Sequence, residues 1–346
     1  MIISFNPSIF QSQDIKMQAV LAKVLTVLME TNIHLINFES INDIFYNEND
    51  VYIFDLNTIS KIHLSARQRI SLKEFLNKRN RSNITNLHKQ HLIHIFVGIN
   101  EKNKEIHPEG LYKIITERSK IIVENGINDW KFIRGVCQKY GSSKIKRRSI
   151  YQLIHRAIKD EIIESENCGG VGEITKVTQR WMNADRYKNI FRYKLLAIFD
   201  SDKKKQNELT RHKNKIEFFK EKKIDDAIDC DYKPTDLIIW HILYKRKIEN
   251  YIPLDVLFSD IPSITQTQKD NLFAKTDEEL DFIEYDENNV GIAKSQIKSR
   301  FPEMFLSGFS YRDFERRCEH HKVFEAEANE PISEIEQILL KIAKIL

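Results

Sequence analysis

Short apolar runs alternate with longer segments of helical spacing in the first third of the chain. Four runs have the length and composition of strands: Met1–Phe5, His34–Phe38, Val51–Leu56 and Leu92–Val97. Two segments repeat apolar residues at helical spacing: Asp14–Thr31 and Ser65–Lys78. This alternation predicts an N-terminal α/β unit over residues 1–110. Its role stays open, and the strand count alone favours a Rossmann-like unit used for contacts.

The same alternation is clearer over residues 111–260. Three runs predict strands: Lys120–Val123, Asp160–Ser165 and Lys194–Phe199. Three segments predict helices: Asp129–Tyr140, the stretch from the Gly169-Gly170 turn to about Met182, and Gln206–Lys223. Strands that alternate with helices predict right-handed βαβ units and therefore a mostly parallel sheet.

Residues 261–346 show no clear strand pattern, so we expect a helical C-terminal region. Apolar residues recur at helical spacing over Ile332–Leu346, which predicts an amphipathic helix. Its apolar side either packs on the body of the protein or forms an oligomer or partner surface.

Two of the predicted strands stop abruptly at carboxylates. Glu124 follows the run Ile121-Ile122-Val123, and Asp200 and Asp202 follow Leu195–Phe199. In open parallel sheets, ligands bind at the carboxyl ends of the strands. Crowded carboxylates repel one another unless a cation lies between them, and oxygen ligands suit Mg²⁺ or Mn²⁺. The pattern therefore predicts a divalent-metal site, with Asp200 and Asp202 pointing the same way on an extended chain.

The third carboxylate of this site has two candidates. Glu166 also ends a predicted strand, so it is an alternative to Glu124 or an additional metal ligand. Glu124 is favoured because Gly126 and Asp129 follow it closely.

Composition limits the class of protein. The net charge of the 346 residues is only +4, which does not identify a nucleic-acid binder. Basic runs at Lys203-Lys204-Lys205 and Arg211–Lys215 follow Asp202, where they form either a solvated surface or a phosphate contact. The four cysteines form no CxxC pair, so neither a zinc ribbon nor a disulfide framework is indicated. With no signal-peptide pattern or long apolar stretch, we expect a cytoplasmic protein without a membrane partner.

Four segments together resemble a Toprim domain of the kind found in OLD-family nucleases. Toprim domains carry a glutamate after one strand and Asp-x-Asp after a later one, as do Val123–Asp129 and Phe199–Asp202, although Asn125 replaces the usual glycine. Gly169-Gly170 resembles the turn that opens the second helix in OLD-like nucleases. Arg246–Tyr251 is similar to the Arg-x-Ile-Glu-Asn-Tyr signature of related Toprim proteins in bacterial anti-phage systems. The resemblance covers roughly residues 115–255.

The resemblance implies a Toprim (Rossmann-like) sheet and a nuclease that cuts DNA or RNA with Mg²⁺ or Mn²⁺. Asp200 and Asp202 would be metal ligands, and Glu124 a ligand or a general acid or base. Glu249 would bind a second metal ion or have a structural role. Arg246 or Lys245 would stabilise phosphate charge, and for Arg246 and Glu249 a structural ion pair is an equal alternative.

The resemblance also implies partners and leaves two other functions open. No GxxxxGKS phosphate loop is present, so a separate ATPase or sensor would restrain the nuclease. One alternative is a catalytically silent Toprim-like interaction module that forms a homo-oligomer or binds a partner. The other is a primase-like nucleotidyl transferase, which the lack of a zinc-binding module disfavours.

Overall fold

The computed structural model describes residues 1–31, 33–37, 65–68, 70–71, 74, 92–100, 104–208, 210–224, 231–286, 290–325 and 329–346. The predicted strand Val51–Leu56 and half of the predicted helix Ser65–Lys78 lie outside these residues, as does Phe38. The described residues 66–68, 70–71 and 74 are helical, as that prediction expects. The chain divides into two compact units. The first unit comprises Met1–Arg118, Asp185–Lys194 and Ala343–Leu346, and the second comprises Ser119–Ala184 and Leu195–Ile342.

The first unit contains a small parallel sheet, as its sequence pattern predicts. Strands β1 (Ile2–Phe5), β2 (Leu35–Ile36) and β3 (His94–Val97) have the order β2-β1-β3. Helices α1 (Ile15–Thr31) and α2 (Pro108–Thr116) supply apolar residues to one core, together with Ile3 and Phe5 of β1. The first unit also contains a 3₁₀ helix at Pro7–Gln11 and a helical turn at Phe191–Lys194.

The second unit is built on four parallel strands in the order β5-β4-β6-β7. Their bounds are β4 Ser119–Val123, β5 Ile163–Asn167, β6 Leu195–Phe199 and β7 Ile239–Ile242. The central strands β4 and β6 are buried along their whole length, as the apolar runs Ile121–Val123 and Leu195–Phe199 predict. Within the described residues of this unit, the segments between the strands form α3 (Asn128–Ser142), α4 (Arg148–Lys159), α5 (Ile174–Asn183) and α6 (Lys213–Lys220).

The strand order reverses between β4 and β6. The chain passes from β4 to β5 on one side and then crosses back to β6 and β7 on the other. Such a switch point leaves a crevice outside the carboxyl ends of the two strands, where α/β proteins bind ligands. Glu124 and Asp200 are the residues that immediately follow these two strands.

Two boundaries in this unit differ from their predictions. The strand predicted over Asp160–Ser165 runs over Ile163–Asn167, because the chain still turns at Glu161, whose φ is 55°. Glu166 therefore lies inside a strand instead of ending it. The helix predicted over Gln206–Lys223 is shorter, since Glu221 ends it in the left-handed conformation with φ of 52°.

The expectation of a strand-free C-terminal region is wrong. Strands β8 (Lys322–Glu325) and β9 (Glu330–Ser333) form an antiparallel pair. Both mix charged and apolar residues, and the exposed β8 has no apolar face for a sequence pattern to reveal. The described residues of this region also form these helices: α7 (Leu254–Asp260), α8 (Gln266–Phe273), α9 (Asp277–Phe282), α10 (Lys294–Ser307), α11 (Tyr311–Cys318) and α12 (Glu334–Lys344).

Helix α12 begins two residues later than its prediction, and its apolar side is buried within the chain. Ile335, Ile338 and Leu339 are almost inaccessible to solvent. This burial agrees with packing on the body of the protein. Among the described residues, no helix is both long and apolar enough to cross a membrane.

Candidate functional site

Glu124 and Asp200, far apart in sequence, meet at the switch point. Strands β4 and β6 are hydrogen-bonded neighbours, with Ile122 level with Ala197. The backbone N–H of Asp200 donates to Oε1 of Glu124 across 3.2 Å. Burial raises the pKa of Glu124, and the nearby charge of Asp202 raises it further. The parallel-sheet argument made from the sequence is therefore confirmed for the proximity of this pair.

Asp129, which the sequence did not single out as a site residue, belongs to the same cluster. Its Oδ2 accepts a hydrogen bond of 2.8 Å from the Asn125 N–H, which closes the turn after β4. Burial raises the pKa of Asp129 to about 7, and the negative charges of Glu124 and Glu249 add to the effect. The sequence feature that could have identified Asp129 is its position in the first motif, five residues after Glu124.

The turn that carries Glu124 is held against the end of β5. The Gly126 N–H donates to Oδ1 of Asn167 at 3.2 Å, and that oxygen also accepts from Gly169 at 3.0 Å. A Cβ on Gly126 would lie only 2.7 Å from the Asn167 Cβ, so the close approach requires glycine. Gly169 and Gly170 have φ of 76° and 133°, which confirms the predicted turn.

Asp202 reaches the site by a different route from the extended chain that was expected. Its φ is 53°, a left-handed conformation that aspartate tolerates better than most residues. Its N–H donates to the Arg246 carbonyl at 3.1 Å, and the buried Ser201 Oγ donates to the Lys245 carbonyl at 2.8 Å. These bonds fix the loop after β6 to the loop after β7.

The Asp202 carboxylate lies between two basic side chains. The His212 Nε2 is 3.5 Å from its Oδ2, and the Lys247 Nζ is 3.9 Å from its Oδ1. The close approach of His212, helped by the charge of Lys247, lowers the pKa of Asp202. Asp202 is therefore the carboxylate of the cluster that most readily stays ionised.

Glu249 completes the cluster from the 3₁₀ helix Ile248–Tyr251. Its Oε2 is buried, and no hydrogen-bond donor within the described residues reaches that atom. Burial raises the pKa of Glu249. Burial also raises the pKa of Asp200 well above its ordinary value, and the charges of Glu124 and Glu249 increase the shift. Glu249 thus lies close enough to Asp200 for their negative charges to interact.

The three consecutive basic residues after β7 take different roles. Lys245 is buried and ion-paired with Asp281. The Arg246 guanidinium donates to Glu284 at 2.9 Å and to the Lys203 carbonyl at 3.2 Å, so it fixes two loops. Lys247 faces the carboxylates, and its charge lowers the pKa of Asp200, Glu124 and Glu249 alike. Of the three, Lys247 is placed to meet a negatively charged ligand.

Glu166 lies apart from this cluster in the contacts that the structure describes. It is level with Ile122 on the neighbouring strand, before the end of β4. Its carboxylate pairs with Arg180 and lies 3.9 Å from the Lys120 Nζ. The structure therefore brings Glu124, and not Glu166, together with Asp200.

The donor set of the cluster suits a hard divalent cation. Glu124, Asp129, Asp200, Asp202 and Glu249 offer oxygen atoms only, which favours Mg²⁺ or Mn²⁺. Their mutual repulsion and the buried Oε2 of Glu249 are both relieved by a positive charge between them. Among the described residues, no three acidic, histidine or cysteine side chains already have an arrangement that would hold a metal ion.

No family model matches the chain, and comparisons with curated proteins and with solved structures returned no significant match. The observed fold is α/β with parallel sheets, which is compatible with a Rossmann-like architecture. The finer expectation of a Toprim domain comes from the four sequence motifs and stays a prediction.

Proposed function

We propose that the second unit is a Toprim-like nuclease that hydrolyses phosphodiester bonds of DNA or RNA with Mg²⁺ or Mn²⁺. The observation that carries the proposal is the meeting of Glu124 and Asp200 at the switch point of a parallel sheet. Three further carboxylates and one lysine surround this pair. Structural ion pairing does not account for the arrangement, because the acidic residues outnumber the cations that face them.

The side chains divide into metal-holding and proton-handling groups. Asp200, Asp202, Glu124 and Glu249 would hold the cation, which when bound stabilises negative charge developing on the phosphate. Asp129, whose pKa is raised to about 7, holds or releases a proton at its carboxyl group near neutral pH. Lys247, about one-third exposed, would donate to a phosphate oxygen. Arg246 is a positioning residue, since its backbone carbonyl and guanidinium both hold the loop that carries Asp202.

Exposed basic residues beside the cluster support a nucleic-acid substrate. Lys204, Lys205 and Arg211 are exposed in the segment that follows Asp202. Cations at this position are suited to the phosphates that flank a scissile bond. An acidic cluster without neighbouring cations would instead repel a polyanion.

The biological setting belongs to the same proposal and is supported by the sequence alone. The Arg246–Tyr251 signature suggests a cytoplasmic effector of bacterial anti-phage defence. A partner ATPase or sensor would restrain it, since the sequence carries no phosphate loop.

Cleavage assays on purified protein test the proposal. Duplex DNA, single-stranded DNA and RNA are incubated with Mg²⁺, Mn²⁺ or EDTA. We expect metal-dependent cleavage that Asp200→Asn reduces by at least about 100-fold, the effect of losing a group that stabilises transition-state charge. The matched control Asp255→Asn changes an exposed residue paired with Arg316 and should cleave at the wild-type rate.

Metal titration separates the competing functions. Calorimetry should show Mn²⁺ binding to the wild type and weaker binding to Asp200→Asn. Cleavage by Asp200→Asn at the wild-type rate would refute the catalytic assignment. Metal binding without cleavage of any substrate supports the silent interaction module, and incorporation of labelled nucleotides supports the nucleotidyl transferase.

A further inference from the structure

The first unit contains a cavity of about 410 Å³ at the carboxyl ends of its own strands. Side chains from all three strands or their following loops line it, including Ser4, Asn37 and Phe96. The order β2-β1-β3 makes this edge a second switch point, separate from the acidic cluster. The volume lies within the range of sites that bind small molecules, roughly 300–1,000 Å³.

Polar groups around this cavity are held in place by one another. The Asn37 amide donates to the Ser4 Oγ at 3.2 Å, and that oxygen lies 2.7 Å from the His94 Nε2. The Asn6 amide donates to the Glu105 Oε1 at 3.1 Å. Pre-positioned amide, hydroxyl and carboxylate groups are the usual means by which a pocket orients a polar ligand.

The backbone next to β3 is shaped to admit the Glu105 carboxylate. A Cβ on Gly98 would overlap that carboxylate, so the glycine makes room for it. The Ile106 N–H donates to the Phe96 carbonyl at 2.7 Å, and the Gly98 N–H donates to the Ile106 carbonyl at 3.1 Å. These bonds fix Glu105, the preceding residue, at the cavity wall.

Phe96 presents an aromatic ring to solvent at this cavity. It is 53% exposed, although its neighbours in β3, Ile95 and Val97, are fully buried. Its ring centroid lies 4.5 Å from that of His94, so the ring is supported on one side. A supported, exposed ring offers a face on which a planar heteroaromatic group stacks.

We infer that the first unit binds an uncharged nucleoside at this cavity. Its base would stack on Phe96 and hydrogen-bond to the amides of Asn6 and Asn37. The Glu105 carboxylate would accept hydrogen bonds from sugar hydroxyls or from an amino group of the base. Within the described part of the chain, none of the lining residues is basic and Glu105 is acidic, which disfavours phosphate. The inference is independent of the proposed nuclease activity, because none of these residues belongs to the acidic cluster.

Calorimetry on the full chain in EDTA tests the inference without involving metal chemistry. The probes are adenosine, guanosine, cytidine and uridine, their 5′-triphosphates, and inorganic phosphate. We expect saturable one-to-one binding of at least one nucleoside and none of phosphate. Phe96→Ala should weaken that binding about ten-fold or more, the range for loss of one base-stacking ring. Glu105→Gln should weaken it as well.

Two variants in the same unit serve as matched controls. Ile15→Ala removes an apolar side chain that is 69% exposed, and Glu109→Gln neutralises an exposed carboxylate, both outside the cavity lining. Both should bind like the wild type. The inference is overturned if no nucleoside shows saturable binding at concentrations up to about 1 mM, because a dissociation constant above that value is too weak to indicate a specific site. The inference is also overturned if Phe96→Ala binds the nucleoside with unchanged affinity. If circular dichroism shows that Glu105→Gln does not fold, the result for Phe96→Ala alone tests the inference. Tighter binding of a triphosphate than of its nucleoside would contradict the exclusion of phosphate.

Discussion

Asp129→Asn should stabilise the second unit, because it removes a carboxylate that is buried among other carboxylates. Asparagine retains an oxygen that accepts the hydrogen bond from the Asn125 N–H. It carries no charge, so the repulsion from Glu124 and Glu249 disappears. A substitution that increases stability while weakening a charged site is typical of functional clusters.

The magnitude follows from the pKa of Asp129. The pKa rises from 3.8 to about 7 in the folded protein, and each unit corresponds to about 1.36 kcal/mol. The pKa of Asp129 is higher in the folded protein than in the unfolded chain. Its contribution to the free energy of unfolding is therefore fully present below pH 4 and is lost as pH rises through 7. The upper limit of the loss is about 4 kcal/mol. Since Asp129 is partly accessible and coupled to its neighbours, we expect Asp129→Asn to gain about 1–2 kcal/mol between pH 5 and pH 8.

Tryptophan fluorescence during urea unfolding measures this gain. The three tryptophans, Trp130, Trp181 and Trp240, all lie in the second unit, so the signal reports that unit alone. The free energy of unfolding of both proteins is measured in EDTA from pH 5 to pH 8. Asp270→Asn, at an exposed position, is the control and should match the wild type. A difference that does not grow with pH, or a less stable Asp129→Asn at pH 8, would refute the reasoning.

Three other substitutions test the surrounding structure. Gly126→Ala should destabilise the second unit by about 1–3 kcal/mol in the same urea assay, because its Cβ would collide with Asn167 at the end of β5. In the control Gly172→Ala, the added Cβ meets nothing within 4 Å, so the free energy of unfolding should hardly change. Asp281→Asn should lower the free energy of unfolding by about 3–5 kcal/mol, because it breaks a buried network of ion pairs. Glu284→Gln removes a carboxylate that is about half exposed and should cost less than about 1 kcal/mol. Burial lowers the Lys194 pKa to about 7, so the buried ammonium destabilises the first unit most at pH 7 and below, and the wild type regains that stability as pH rises towards 10. Lys194→Met removes the charge and should therefore slow hydrogen exchange in the first unit most at pH 7 and below. Equal exchange rates at pH 6 would contradict that assignment.

The strand ends were predictable from sequence because two independent rules agree there. The runs before Glu124 and Asp200 are apolar on both faces, which marks central strands of a parallel sheet. Parallel strands end on one edge, so two carboxylates that follow such strands meet when the strands are neighbours. Neither rule needs knowledge of distant residues.

The rest of the site depends on contacts that no local pattern contains. Lys245 and Lys247 flank Arg246 in one run, and only the buried Asp281, far along the chain, determines that Lys245 turns away from the carboxylates. Asp202 was expected on an extended chain, but its bond to the Arg246 carbonyl holds it in a left-handed turn. Tertiary hydrogen bonds thus override the alternation that a strand would impose.

The path of the chain between the two units has a consequence for synthesis on the ribosome. The chain passes from one unit to the other four times, and the first unit incorporates Asp185–Lys194 and Ala343–Leu346. Residues 1–118 of the first unit are synthesised long before the segments that complete it. Nascent chains therefore carry an unfinished core while the parallel sheet of the second unit is still being made. We therefore expect chaperones to bind the residues of the first unit while the chain is being synthesised. A premature stop before Ala343 would remove residues 343–346, which belong to the first unit, and so leave that unit incomplete.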